Sequence, residues 1–493
     1  MFNPDVYDLV VLGSGEAGKC LAWTLAKQGR RVAVIERRYV GGSCPNVACL
    51  PSKNVIHAAK VASYFRRSGE FGIAAGQWSV DMAAVRDRKR KMVDALIEVH
   101  LARFAASGAE LVRGNGRFVG PKAVEVALDG GGTRVLHGET VVVNTGSRAT
   151  IDSTPGLSES RPLTHVEAIE LDRVPGHLVV LGGGYVGLEF AQAFRRLGAR
   201  VTVVERNPAL LHREDADVSE AMARLFNDEG VEAFTDTVVS QVAGTSGESV
   251  RLHARRASAD VTIEGTHLLV AAGRTPNTDG IGLAAAGVAL DGRGYIRVNE
   301  RLQTSVAGVW AAGDCAGSPQ FTHVGYDDFR VIRDNLAGVD RVTTGRLVPS
   351  CLFTDPELAR VGLSERTARA RRAVPTRQDS NGSRAPNADA VRNAGVPEGP
   401  DRTGRRPHPR VHGVRGGSRR GDGCGAGGDG GRAAVHRATG RGSDPPDHRR
   451  RAGRTLLRSP RRGVETQCQK APRTSCGTRR RGTVVSQFAG RYL

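Results

Sequence analysis

Two glycine-rich stretches restrict what this chain can fold into more than any other feature. Gly13-Ser-Gly15-Glu-Ala-Gly18 and Gly182-Gly-Gly184-Tyr-Val-Gly187 each follow an apolar run and open a helical one. The first lies between runs 7–12 and 32–36 and the second between 178–181 and 201–205, with helical patterns over Ala17–Gln28 and Tyr185–Leu197. Short Val/Ile/Leu runs of this kind are buried parallel strands, and parallel neighbours need a crossover helix. In such a unit the first glycine permits the tight turn, and the second lets a pyrophosphate approach the backbone. The third allows helix and strand to pack closely, and the helix N-terminus presents N–H groups to the phosphate. Glu36 and Glu205 each lie 23 residues after the first glycine, where a carboxylate can accept ribose hydroxyls. One such loop alone is an ordinary glycine turn. Two complete units predict an α/β protein with two Rossmann-like dinucleotide-binding domains. The acidic strand end at Glu205 favours NADH, because it would repel a 2′-phosphate; the adjacent Arg206 leaves NADPH possible.

The formal charge of +20 would ordinarily direct attention to nucleic acid. It is concentrated at one end. Residues 371–493 hold 28 Lys and Arg against 9 Asp and Glu, whereas residues 1–370 hold 43 against 42. The terminal segment has no Ile, Met or Trp, one Lys, 27 Arg and 21 Gly. Such a segment buries too little apolar surface to offset its ordering entropy, so it is predicted to be disordered. A shift of reading frame in a GC-rich gene accounts for this composition, since Arg, Gly, Pro and Ala have GC-rich codons. The alternative is an Arg-rich arm for nucleic acid, which the near absence of stacking aromatics disfavours. The chain begins a strand almost at once, without a leader pattern, and no apolar stretch reaches the length of a membrane span. Eight cysteines in 493 residues make no disulfide scaffold, and the compartment reads as cytoplasm. Between the two units, residues 81–105 read as a long charged helix with apolar Met82, Val85, Met92, Leu96 and Phe104. Residues 110–145 read as an antiparallel excursion.

A third motif carries redox character. In Gly41-Gly-Ser-Cys44-Pro-Asn-Val-Ala-Cys49-Leu-Pro-Ser-Lys53, two cysteines stand five apart where a helix begins. The helix N-terminus and Lys53 would favour thiolate over thiol. A buried structural pair is the plain alternative. A metal site would need two more ligands, and no neighbouring Cys/His cluster supplies them, so no metal is expected. Beside two nucleotide loops the pair reads as a redox dithiol.

These motifs together resemble the flavoprotein pyridine nucleotide-disulfide oxidoreductases, the family of dihydrolipoamide dehydrogenase, glutathione reductase and mercuric reductase. Four further stretches extend the resemblance: Asn144-Thr-Gly-Ser147, Ala271-Ala-Gly-Arg-Thr-Pro-Asn277, Trp310-Ala-Ala-Gly-Asp314, and Phe353-Thr-Asp-Pro-Glu running on to Glu365. The match covers about residues 5–369. It implies an FAD domain over 1–155 and 281–345, an NAD(P) domain over 156–280, a remnant of the dimerisation domain over 346–370, and the Arg/Gly-rich tail 371–493.

Residue by residue, the resemblance implies that Gly13, Gly15, Gly18 and Glu36 hold the adenosine diphosphate of FAD, with Gly116, Gly146 and Asp314 lining the rest. Gly182, Gly184, Gly187, Glu205 and Gly273 would serve the NAD(P) site. Lys53 would sit near flavin N5 and pair with Glu189, and Tyr185 would cover the flavin until the nicotinamide enters. Electrons from NADH, with NADPH the alternative, would pass through FAD to a Cys44–Cys49 disulfide. Cys49 would be the flavin-facing thiolate and Cys44 the thiol that attacks a small disulfide or metal-ion acceptor. Cys20 reads as a core residue, Cys315 and Cys351 receive no role, and His323 would matter through its backbone. Family members are homodimers whose last domain lends a His-Pro…Glu pair to the partner; here His408 has no such Glu after it, and His412, His436 and His448 lie in Arg/Gly-rich surroundings. The interface domain therefore reads as lost, and a catalytically impaired cofactor-binding chain is the second reading.

Overall fold

The computed structural model describes residues 5–373, with side chains to 369. Expectations for the tail, including those for His408, His412, His436 and His448, lie outside the described residues. The expected boundary at 370 falls inside the helix Glu365–Ala373.

The first glycine unit builds a sheet whose parallel strands run in the order Glu110–Gly120, Val32–Glu36, Val6–Leu12, Thr133–Val143, Val309–Ala311. Both long strands change partners along their length. Glu110–Arg113 pair with the Val32 strand, and Gly114–Gly120 then turn into an antiparallel meander with Ala123–Leu128. The chain returns through Thr133–His137 before rejoining the Val6 strand. Val10, Val11, Val34, Val141, Val142 and Val143 are fully buried. Each such side chain stabilises the sheet by roughly 1.5–3 kcal/mol over exposure, which explains why these runs carry no polar alternation.

The second unit repeats the plan on a smaller scale. Four parallel strands lie in the order His267–Val270, His177–Leu181, Arg200–Val204, Glu232–Phe234. A three-stranded antiparallel sheet, Thr237–Thr245, Ser249–Arg256 and Ala259–Gly265, accompanies it. Short strands Ser147–Ala149 and Arg274–Pro276 pair where the chain passes between the two units. Three helices complete the frame around the cysteines: Cys49–Arg66, Met82–Ser107 and Thr322–Leu336. The second starts at Asp81, whose side chain accepts from Ala84 N at 2.9 Å, and stops at Gly108 with φ +79°. Beyond them comes a hairpin, Ser350–Leu352 with Leu358–Arg360. Among the described residues no helix is long and apolar enough to cross a membrane.

Candidate active site

The two glycine loops meet the same constraint at the same place. Gly13 has φ +98°, and a Cβ there would lie 2.5 Å from the Asn144 carbonyl oxygen. Gly182 has φ +118°, and a Cβ would lie 2.5 Å from the Ala271 carbonyl oxygen. Asn144 and Ala271 each directly follow the strand that returns beside the loop. At the third glycines a Cβ would stand 2.6 Å (Gly18) and 1.9 Å (Gly187) from the carbonyl oxygen of the first. Only glycine lets the helix pack this close. Gly15 and Gly184 start the helices Glu16–Lys27 and Tyr185–Leu197 with no capping side chain. As glycines, neither residue offers a side chain to cap the first-turn N–H groups of its helix.

Glu36 and Glu205 are buried, each buttressing its own loop. Ser14 donates to Glu36 Oε2 from N at 2.9 Å and from Oγ at 2.7 Å, while Arg38 N and Tyr39 N donate to Oε1. Gly183 N donates to Glu205 Oε2 at 2.7 Å, and Asn207 N to Oε1 at 2.8 Å. Asn144, unassigned from sequence, ties three distant segments together. Its Oδ1 accepts from Gly18 N at 3.0 Å and its Nδ2 donates to Ala312 O at 2.8 Å.

The cysteines flank a helix junction. Cys44 lies in the short helix Ser43–Asn46 and Cys49 is the first residue of Cys49–Arg66. Both are free thiols. A hydrogen bond from Cys44, one from Thr322 (Sγ to Oγ1, 3.4 Å) and the Lys53 charge lower the Cys49 pKa to about 6 despite burial. Donating that bond, and buried, Cys44 is pushed well above the usual thiol range. With Thr322 and Lys53 both beside Cys49, that thiol is the one of the pair favoured as thiolate. Thr322 opens the Thr322–Leu336 helix, a contact across 273 residues that no local pattern announces.

One turn along the Cys49 helix, Lys53 Nζ lies 2.6 Å from Glu189 Oε2. Glu189 also accepts from Phe353 N at 2.9 Å, and Lys53 sits 4.7 Å from the centre of the Phe353 ring. Tyr185, first residue of its helix, donates to Glu214 Oε1 at 2.9 Å and lies 3.3 Å from Ser350 Oγ. Burial, with the Glu214 carboxylate, raises the phenol's pKa. Cys44, Cys49, Lys53, Glu189 and Tyr185 thus form a connected region reaching from one glycine unit to the other.

The remaining expected positions are less uniform. Asp314 follows Gly313 in a tight turn, accepts from Ser147 Oγ at 2.5 Å and lies 3.7 Å from Arg274 Nε. Gly146 (φ +70°) and Gly273 (φ +144°) hold the two connecting turns. Gly116 is inside a strand, where a Cβ would meet Leu12 Cδ1 at 2.6 Å; what is visible there is core packing. Burial raises the thiol of Cys20 to about 12 and that of Cys351 to about 11, and Cys315 is fully buried. Burial lowers the pKa of His323, which stacks on Phe321. Among the described residues no group of His, Cys, Asp or Glu is placed to hold a metal ion.

The family model "Pyridine nucleotide-disulphide oxidoreductase" matches residues 7–328, and the chain belongs to that family. It is 36% identical to a mercuric reductase of Streptomyces lividans over 362 residues, covering 73% of this chain and 76% of that protein. It is 34% identical to the probable pyridine nucleotide-disulfide oxidoreductase RclA of Escherichia coli over 369 residues, covering 74% and 78%. A solved Cu(II) complex of the HOCl-induced flavoprotein disulfide reductase RclA from Escherichia coli superposes with a TM-score of 0.67 at 33% identity, over 75% of this chain and 80% of that one.

Proposed function

We propose that the chain is an FAD-containing, NADH-preferring oxidoreductase that delivers electrons through Cys49 and Cys44 to a thiophilic metal ion or a small disulfide. In this reading Gly13, Gly15, Gly18, Glu36, Gly116, Gly146 and Asp314 belong to the FAD half, 1–155 and 281–345. Gly182, Gly184, Gly187, Glu205 and Gly273 belong to the nucleotide half, 156–280. The open helix N-terminus at Gly15, backed by Gly13 and Gly18 where no Cβ fits, suits the pyrophosphate of FAD. When bound, the flavin supplies two-electron transfer between nicotinamide and dithiol.

The protein's own part is polarisation and access. Cys49 is kept as thiolate, Lys53 is held by Glu189 beside it, and Tyr185 covers the entry for the nicotinamide. Cys44 keeps its proton until an acceptor arrives; that proton then passes to solvent water, which leaves Cys44 as the attacking thiolate. The single observation that carries this reading is geometric: Cys49 opens its helix five residues after Cys44, with Thr322 Oγ1 3.4 Å from its Sγ and the Lys53–Glu189 pair one turn further on. The relatives named as mercuric reductases, and the related enzyme solved with Cu(II), favour a soft metal ion as acceptor.

Turnover with Hg(II), Cu(II) and lipoamide, each with NADH and NADPH, tests the proposal. Metal-ion reduction that exceeds lipoamide reduction, is lost in Cys44→Ser and is faster with NADH is expected. Undiminished metal reduction by Cys44→Ser would overturn the thiol route.

A further inference from the structure

Glu214 belongs to none of the motifs singled out in the sequence, yet both of its carboxylate oxygens are committed. The loop that carries it folds back over the second glycine loop: Leu211 N donates to Gly183 O at 3.0 Å, and Glu214 N donates to Leu211 O at 2.7 Å. Leu211 has φ +51°, a conformation an L-residue adopts only when its surroundings hold it. That turn buries Glu214 to 9% exposure directly beside Tyr185. Oε1 accepts the Tyr185 hydroxyl at 2.9 Å, and Oε2 stands 3.0 Å from Arg360 Nε. The latter is a charge contact without hydrogen-bond alignment, since Arg360 Nε is buried and otherwise unpartnered.

Arg360 and Ser350 face each other in the register of the terminal hairpin, so one hairpin reaches both Glu214 and Tyr185. The same loop is fixed further on, where Arg366 donates to the carbonyls of His212 and Arg213 and Glu365 N donates to Asp215 Oδ2. Arg360 keeps the buried carboxylate compensated when the phenol leaves it, which makes release of Tyr185 feasible.

We propose that Glu214, set by Arg360, is a positioning residue that latches Tyr185 closed and thereby regulates admission of the nicotinamide ring. The proposal rests on the reading of Tyr185 as the cover of that site. A phenol bonded to a carboxylate is held more strongly than one bonded to a neutral amide. Weakening the latch frees the cover; removing Arg360 commits the carboxylate to Tyr185 alone and tightens it. The two substitutions therefore act in opposite directions, which loss of a merely structural contact would not produce.

Calorimetric titration of the oxidised holoprotein with NAD+, and with ADP-ribose as a probe lacking nicotinamide, tests this. Glu214→Gln should tighten NAD+ about fivefold, the order of one hydrogen bond, and Arg360→Met should weaken it. ADP-ribose affinity should stay within about twofold in both, and Arg360→Lys should return NAD+ binding towards the parental value. In a Tyr185→Phe background neither substitution should act. Equal effects on NAD+ and ADP-ribose, or same-sign effects of the two substitutions, would overturn the latch. If Tyr185→Ala leaves NAD+ affinity unchanged, the cover reading itself fails. If Tyr185→Ala tightens NAD+ but Glu214→Gln does nothing, the latch alone fails.

Discussion

Replacing Cys44 by alanine removes the hydrogen bond that does most to hold Cys49 as a thiolate. The lowering of Cys49 from an ordinary 9.0 to about 6 corresponds to roughly 4 kcal/mol between its protonation states. At pH 7 this makes the thiol roughly nine-tenths ionised, against about 1% for an unperturbed cysteine. Thr322 and Lys53 survive the substitution, so the midpoint should rise without returning to 9. Thiolate absorbance against pH in the reduced apoprotein measures the midpoint. Iodoacetamide alkylation followed by peptide mapping assigns it to Cys49. The sign for stability follows from the depressed value. The contribution is complete above the unfolded thiol's pKa and disappears as pH falls through about 6. The reduced protein should therefore gain melting temperature between those limits, and less so in Cys44→Ala. A parental midpoint near 9, or an identical midpoint in Cys44→Ala, would refute the polarisation argument.

Three single substitutions and one double variant probe the scaffold. Gly187→Ala forces a methyl to within 1.9 Å of the Gly182 carbonyl, so NAD+ binding should fall sharply while FAD content is kept; Gly18→Ala should show the reverse, as read by calorimetry and flavin absorbance. Lys53→Met leaves the buried Glu189 carboxylate without its cation, a loss on the order of 3–5 kcal/mol; the melting temperature should drop, and Lys53→Met/Glu189→Met together should recover much of it.

Where the signal is local, the sequence was readable. Apolar runs such as Val141–Val143 are wholly buried, and each glycine loop combines a turn, a close approach and a helix start within six residues. The cysteine pair was equally visible as a spacing, two thiols five residues apart on either side of the break between two helices. The long helix Met82–Ser107 was harder. It read as a long charged helix with five apolar positions, yet Lys89 is 1% exposed and His100 is buried too. Lys89 survives there because Glu170 meets its ammonium, and His100 because Lys19 Nζ approaches Nε2 at 3.1 Å. Asn144, Thr322 and Glu214 were missed as contributors for a related reason. Each acts through a partner 29 to 273 residues away, and a lone polar residue shows no periodicity by which to find it. The family resemblance located Gly116 near the flavin, but in the sheet its small size is already required by Leu12 and Ile35.

Asn144 bonds to Gly18 on one side and to Ala312 on the other, and that single side chain has a consequence for biogenesis. The sheet begun at Val6 receives its last strand only at Val309–Ala311, whereas the sheet begun at His177 is complete by Val270. On the ribosome, the half of the molecule synthesised first must therefore wait, open at one edge, while the second half finishes. A chain interrupted between 271 and 308 would carry a finished nucleotide sheet and an unfinished neighbour with its amide side chain still searching for a carbonyl.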